Sequence, residues 1–270
     1  MIVALMNAIG SIYATVFARP SFYFLNKSLF FLSLRGMGLY NCGHRVSGEK
    51  YFLNRILPKI VAKCPVLLDV GANVGSYSQM LAFAFPKATI YAFEPHPSTF
   101  QKLRKRIGDS VQCCNVAIGK NAGTTFLYDR QDNDGSEHAS LSDKVITKLH
   151  KQKVVQHIVN IETVDRFAAE KNITTVDLLK IDTEGYEYDV LLGAKNLIDQ
   201  KAIKIIQFEF GSMNTVTGHM LKEFKEMLPG YTLYRLLPKH LLLLDFQPIE
   251  EELFGYQNII AVSDRVRHLI

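Results

Sequence analysis

The sequence predicts an α/β fold with a mostly parallel sheet, preceded by an N-terminal helical cap. Three observations predict it. Short continuous apolar runs such as PVLLDV, ATIYAF and VDLLKI suit strands buried on both faces. Segments with helical periodicity alternate with them, as crossover connections require. A glycine turn, GANVG from Gly71, joins the first strand to the helix after it.

Composition bounds the fold. A chain of 270 residues has room for one large domain and an extra element. Hydrophobic residues at 48% and charged residues at 21% describe a core-forming chain, not a disordered one. The net charge of +5 suits acidic partners or a membrane surface, but an ordinary solvated surface is the simpler account of it. Cys42, Cys64, Cys113 and Cys114 show no CxxC spacing, so no metal centre is assigned to them. Cys113 and Cys114 adjoin on a strand and face opposite ways, which suits free thiols in a reducing cytoplasm.

In chain order, residues 1–60 read as an N-terminal helical segment and 61–270 as the main domain. Met1 to Ala18 carries no charged side chain and approaches the ~18–20 residues that span a bilayer. Asn7, Gly10, Ser11 and Thr15 dilute it, and no Lys or Arg precedes it as a secretory signal would require. A second apolar stretch, SFYFLNKSLFFLSL, follows. The expectation is helices packed on the main domain or on a second copy, as in a homo-oligomer. Membrane association through residues 1–35 is the alternative.

The main domain then reads as strand PVLLDV, helix, strand ATIYAFEP, helix STFQKLRKRI and strand VQCCNVAIG. TTFLYD is an added strand, and RQDNDGSEHASLSD a polar loop. VVQHIVNIETVDRFAAE is a strand leading into a helix. VDLLKID is a buried strand, YDVLLGAKNLI its helix, and IKIIQFEF the next strand. YTLYRLLP, HLLLLDF and QNIIAVS read as a closing antiparallel set.

Four constellations carry chemistry. In LLDVGANVGSYS, Asp69 closes a strand and Gly71, Ala72, Asn73 and Gly75 shape the turn, where glycine permits close approach of a ligand to the backbone. Asn73 replaces the middle glycine of a dinucleotide fingerprint, and an Asp before the turn suits a cationic amino-acid ligand better than a pyrophosphate. Glu94 follows at about the interval of a strand–helix–strand crossover, where a carboxylate can accept both ribose hydroxyls. Asn115 closes the third strand, where an amide could meet an adenine edge or simply cap a turn. Lys180, Asp182 and Glu184 crowd the end of VDLLKID, a costly grouping unless partnered. Asp182 and Glu184 share a side if the strand stays extended. They could hold a ligand ammonium, take an acceptor proton or share a divalent cation. Glu209 in IQFEF faces the same cleft or solvent, and His96 and His138 are second choices as bases.

In register, DVGANVGSYS, FEP, NVAIG, KIDTEGYE and FEF resemble the FkbM family of methyltransferases over about residues 65–212, and the lead-in RVSGEKYFL (Arg45 to Leu53) resembles it too. The resemblance implies a Rossmann-like class I methyltransferase sheet, S-adenosylmethionine as cofactor, and O-methylation of a small-molecule or glycan hydroxyl. Carried over, Asp69, Gly71, Ala72, Asn73 and Gly75 would line the methionine and ribose end, Glu94 would hold the ribose, and Asn115 and Ala117 would border the adenine. Asp182 and Glu184 would sit where the acceptor meets the sulfonium. A divalent metal stays unassigned. Two other readings stand beside this one: an NAD(P)-dependent oxidoreductase, disfavoured by the missing fingerprint glycine, and a non-catalytic nucleotide-binding or membrane-associated module. Nucleic acid is not expected as a partner, because the basic residues of Lys102 to Arg106 form one helix face without interleaved aromatics.

Overall fold

The computed structural model describes residues 2–270 apart from His44, Arg45, Glu137 and Phe246. Arg45, which opens the RVSGEKYFL lead-in, therefore lies outside the described residues.

The strands are β1 (Val66–Val70), β2 (Thr89–Phe93), β3 (Gln112–Cys114), β4 (Ala117–Ile118), β5 (Gly123–Arg130), β6 (Val154–Glu162), β7 (Val176–Ile181), β8 (Ile203–Phe210), β9 (Tyr231–Leu236), β10 (Leu241–Leu243) and β11 (Gln257–Ser263). Eight of them form one sheet in the order β10-β9-β11-β8-β7-β1-β2-β3. The pairs β8–β7, β7–β1, β1–β2 and β2–β3 are parallel. β11 runs antiparallel to both β8 and β9, and β10 antiparallel to β9. This is the mostly parallel sheet that the sequence predicts, with its antiparallel closing set.

The apolar runs explain the layering. Side chains alternate along a strand, so neighbours serve opposite faces. Leu68, Leu179 and Ile206 join Phe167 of helix Val164–Glu170 on one face. Leu67, Leu178 and Ile205 meet Leu81, Leu103 and Phe52 on the other. All six residues of β7 are buried, as a central strand covered on both faces demands.

Two elements differ from expectation. The predicted strand VQCCNVAIG divides into β3, in the main sheet, and β4, which pairs with β6 in a second sheet ordered β4-β6-β5. The predicted helix YDVLLGAKNLI also divides, into Glu187–Leu192 and Lys195–Asp199. Gly193 lies against the Gly119 carbonyl, where a Cβ would overlap it. The Asp165 carboxylate starts the second helix by accepting the Asn196 and Leu197 N–H groups at 2.9 and 3.0 Å.

At the N-terminus, helix Ile2–Phe17 is joined to helix Tyr23–Gly36 through the turn Pro20–Phe22. The segment is helical, but among residues 5–36 Leu34 is the single buried one. No helix among the described residues is long and apolar enough to cross a membrane.

Candidate active site

A cavity of about 480 Å³ opens at the carboxyl ends of β1, β2 and β7, where ligands of open α/β sheets bind. Gly71, Asn73, Glu94, Asp182 and Glu184 line one side. Apolar residues of the small sheet and its loop, among them Ala117, Leu127 and Leu141, line the other.

Gly71, at φ +79°, lines the cavity, yet a Cβ there would overlap the Asp182 carbonyl oxygen. Glycine is thus required first by the approach of two strand ends, not only by a ligand. The Gly71 and Ala72 N–H groups donate to the Phe93 carbonyl at 3.0 and 2.9 Å, tying the turn to β2. Asn73 adopts φ +50°, a left-handed conformation that asparagine tolerates. Its N–H donates to Glu94 Oε2 at 2.9 Å, while the His96 N–H donates to Oε1 at 2.8 Å. Glu94 is thus oriented by backbone and faces the cavity. Burial pushes its pKa up to about 7 against the opposing effect of those two N–H groups.

Asp69, Ala72, Gly75 and Asn115 do not line the cavity; they shape it from behind. Asp69 is buried and accepts the Ser78 hydroxyl at 2.5 Å. Burial raises its pKa to about 6, with the Lys180 ammonium and that hydroxyl opposing. A Cβ on Gly75 would collide with Leu103 and Ile107, so this glycine seats helix Pro97–Ile107. Asn115 donates its amide to the Glu94 and Pro95 carbonyls at 2.8 and 3.0 Å, the turn-capping role. Ala117 does line the cavity.

Lys180 is buried, donates to Asp182 Oδ2 at 2.9 Å and lies 5.2 Å from the Tyr77 ring centre. Burial lowers its pKa, but the carboxylates of Asp182, Glu209, Asp69 and Glu49 outweigh it and raise the pKa overall. Beyond Ile181 the chain does not stay extended. Glu184 takes φ +53°, because buried Glu187 gathers the loop. Glu187 Oε1 accepts the Thr183 N–H, the Thr183 hydroxyl and the Gly185 N–H at 2.9, 3.1 and 3.1 Å. Asp182 and Glu184 nevertheless both reach the cavity. Glu184 Oε1 lies 3.5 Å from His138 Nδ1, and His138 packs on His150 at 4.8 Å between ring centres.

Sequence reasoning did not single out Glu187, Tyr256 or His150. Glu209, buried in the cavity wall, accepts the Tyr256 hydroxyl at 3.1 Å. Burial first, then Asp182, raise its pKa strongly against the opposing Lys180. Behind it, Asn258 donates to the Tyr256 oxygen at 3.2 Å and Gln207 to Asn258 at 3.0 Å, while the Tyr77 hydroxyl donates to Gln207 at 2.6 Å. The nearest signal was the polar Gln207, Asn258 and Tyr256 in or beside otherwise apolar strands.

Among the described residues, the His/Asp group with metal-ligand spacing is His96, Asp134 and His157; it includes neither Asp182 nor Glu184. Asp134 Oδ1 lies 2.9 Å from His96 Nε2 and 2.7 Å from His157 Nε2. These are hydrogen-bond lengths, and they staple the polar loop to β6 and to the end of β2.

The methyltransferase FkbM domain matches residues 69–229. The chain is 25% identical over 185 residues to the 2-O-methyltransferase NoeI of Sinorhizobium fredii, covering 65% of this chain and 75% of that protein. It is 24% identical over 173 residues to the hexuronic acid methyltransferase AglP of Haloferax volcanii, covering 63% and 67%. It is 29% identical over 185 residues to the 31-O-demethyl-FK506 methyltransferase FkbM of Streptomyces tacrolimicus, covering 58% and 69%.

Proposed function

The chain belongs to the FkbM methyltransferase family, and on that premise we propose that it uses S-adenosylmethionine to methylate a hydroxyl oxygen of a sugar or other small-molecule acceptor. The observation that carries the cofactor assignment is the charge of the cavity. Its described lining holds Asp182, Glu184 and Glu94, the last with a pKa of about 7, and no Lys or Arg; Glu209, whose pKa burial raises strongly, is not counted as a charge. A cavity of that sign suits a ligand with an ammonium and a sulfonium, and opposes the pyrophosphate of a nicotinamide dinucleotide. Relatives named for 2-O-methylation and for a hexuronic acid support a sugar hydroxyl as acceptor.

The bound cofactor supplies an electrophilic methyl group on sulfur. The chain's residues supply the rest. Glu94, oriented by two N–H groups, accepts the ribose hydroxyls. Gly71, Asn73 and the turn between them, shaped by Asp69, Ala72 and Gly75, border the methionine end. Ala117 and the backbone that Asn115 pins border the adenine. Asp182 and Glu184 face the acceptor, and alignment supplies much of the rate in an alkyl transfer. The acceptor proton passes to one of these carboxylates, with Lys180 fixing Asp182 and His138 lying beside Glu184.

Titration calorimetry with S-adenosylhomocysteine and with NAD tests the cofactor assignment. Saturable binding of the first and none of the second is expected. Binding of NAD alone, or of neither, overturns it.

A further inference from the structure

The two N-terminal helices expose what a water-soluble surface normally covers. Leu5, Ile9, Ile12 and Val16 recur at helical spacing on one face of Ile2–Phe17, flanked by Met6 and Tyr13. The opposite face carries Asn7, Ser11, Ala14 and Thr15. On Tyr23–Gly36, Phe24 is 79% and Leu32 66% exposed, and Leu29 and Phe30 are exposed as well. Exposed apolar side chains in this number mark an interaction site.

Three further features say what covers it. Several polar side chains are satisfied within the segment. The Ser11, Thr15 and Ser28 hydroxyls donate to carbonyls one turn back at 3.0, 2.8 and 2.9 Å. Asn26 donates to the Phe17 carbonyl at 2.9 Å and accepts the Tyr13 hydroxyl at 2.6 Å. Groups that bond inward in this way tolerate a solvent that offers no hydrogen bonds. The charges have one sign, for Arg19, Lys27 and Arg35 are exposed and no Asp or Glu precedes Glu49. The 16 residues of the first helix reach only about 24 Å at 1.5 Å per residue, short of the ~30 Å hydrocarbon core. That length suits lying in a bilayer surface, not crossing it.

The chain beyond the two helices also leads to the cavity. Beyond it the Tyr40 N–H donates to the Tyr256 carbonyl at 2.8 Å, and Cys42 and Tyr256 both line the cavity. We propose that residues 2–36 dock in the headgroup layer of an anionic lipid bilayer, holding the cavity mouth at that surface, and that the acceptor hydroxyl belongs to a lipid-anchored molecule. The second half rests on the methyl-transfer function proposed above; the docking does not.

Flotation with phosphatidylcholine vesicles, with and without phosphatidylglycerol, tests the docking. The protein should float with the anionic vesicles, less so as salt screens the cations. The double variant Ile9→Glu, Ile12→Glu changes two exposed side chains, so the fold should survive. Its vesicle partition should fall about 100-fold, with unchanged affinity for S-adenosylhomocysteine. Protein that stays in the soluble fraction with anionic vesicles overturns the docking. So does a dimer by light scattering that the same variant dissolves without any vesicle binding, since a second copy would then be the cover. For the acceptor, radiolabelled methyl is followed from S-adenosylmethionine into total membrane lipids of the expressing cells. Label in the organic extract, reduced in the double variant, is expected. Label confined to the aqueous phase, or absent from both, overturns the lipid-anchored acceptor. Failure to bind S-adenosylhomocysteine at all would count against the methyltransferase assignment and leave the flotation result standing.

Discussion

Glu94 is held by donors on both oxygens and still faces the cavity, so its charge is directed at a ligand. Replacing it by Gln is expected to weaken S-adenosylhomocysteine binding by about 1–3 kcal/mol, the scale for a hydrogen bond to a charged group. Turnover at saturating cofactor should fall less. Calorimetry and steady-state rates separate the two, and unchanged affinity with a large loss of turnover would move Glu94 out of the ribose role. Because its pKa lies at about 7, affinity should also rise as pH rises through that value, as the ionised acceptor form takes over. Asp182 has the complementary signature. It is the ion-pair partner of buried Lys180 and reaches the cavity. Asp182→Asn is expected to lower the transfer rate about 100-fold with cofactor affinity retained. A folded variant, verified by its melting curve, that transfers at the wild-type rate would pass the role to Glu184 or Glu209.

At the scale of elements, the loop from Asp182 to Tyr186 is shaped by one side chain that lies outside it. Glu187 holds three of its donors on one oxygen. Glu187→Ala would orphan those partly buried donors and should lower stability by about 1–3 kcal/mol. Glu187→Gln keeps an acceptor there and should stay near wild type; equal losses in the two, read by urea unfolding, would refute the role. This loop also shows where sequence reading stops. β1, β2, β7 and β8 were legible because central parallel strands are written as unbroken apolar runs, and their end residues Glu94 and Asp182 followed from the register. The break at Gly193 was not, since it depends on the Gly119 carbonyl across the fold. Nor was the split between β3 and β4, because both halves of VQCCNVAIG carry strand character and only partner strands tell them apart. Asp69 was legible as important but not as buried, for a strand-end carboxylate reads alike whether it meets a ligand or the Ser78 hydroxyl.

Across the whole molecule, buried carboxyls set the response to pH. Asp69, Glu94 and Glu187 have folded-state pKa values of about 6, 7 and 7, raised chiefly by burial, and burial raises that of Glu209 as well. A carboxyl raised on folding binds more protons folded than unfolded between its two pKa values, so stability falls as pH rises across that interval. The melting temperature should therefore drop between about pH 5 and pH 8, and Glu187→Gln should flatten part of the drop. A melting temperature that climbs through the same window would contradict this. The strand order has a temporal consequence as well. β11 lies between β8 and β9, and within the main sheet β9 pairs only with β11 and β10. On the ribosome, β9 and β10 emerge before the strand that attaches them, and the β8 edge stays open until β11 arrives. Pulse-labelled refolding should show β9 and β10 amides gaining protection together with β11 and after β1 and β7; earlier protection of β9 would mean that the hairpin forms on its own. Until that insertion, β8 offers an unpaired edge to any other nascent chain, which makes the last strand the one whose delay most exposes this protein to aggregation.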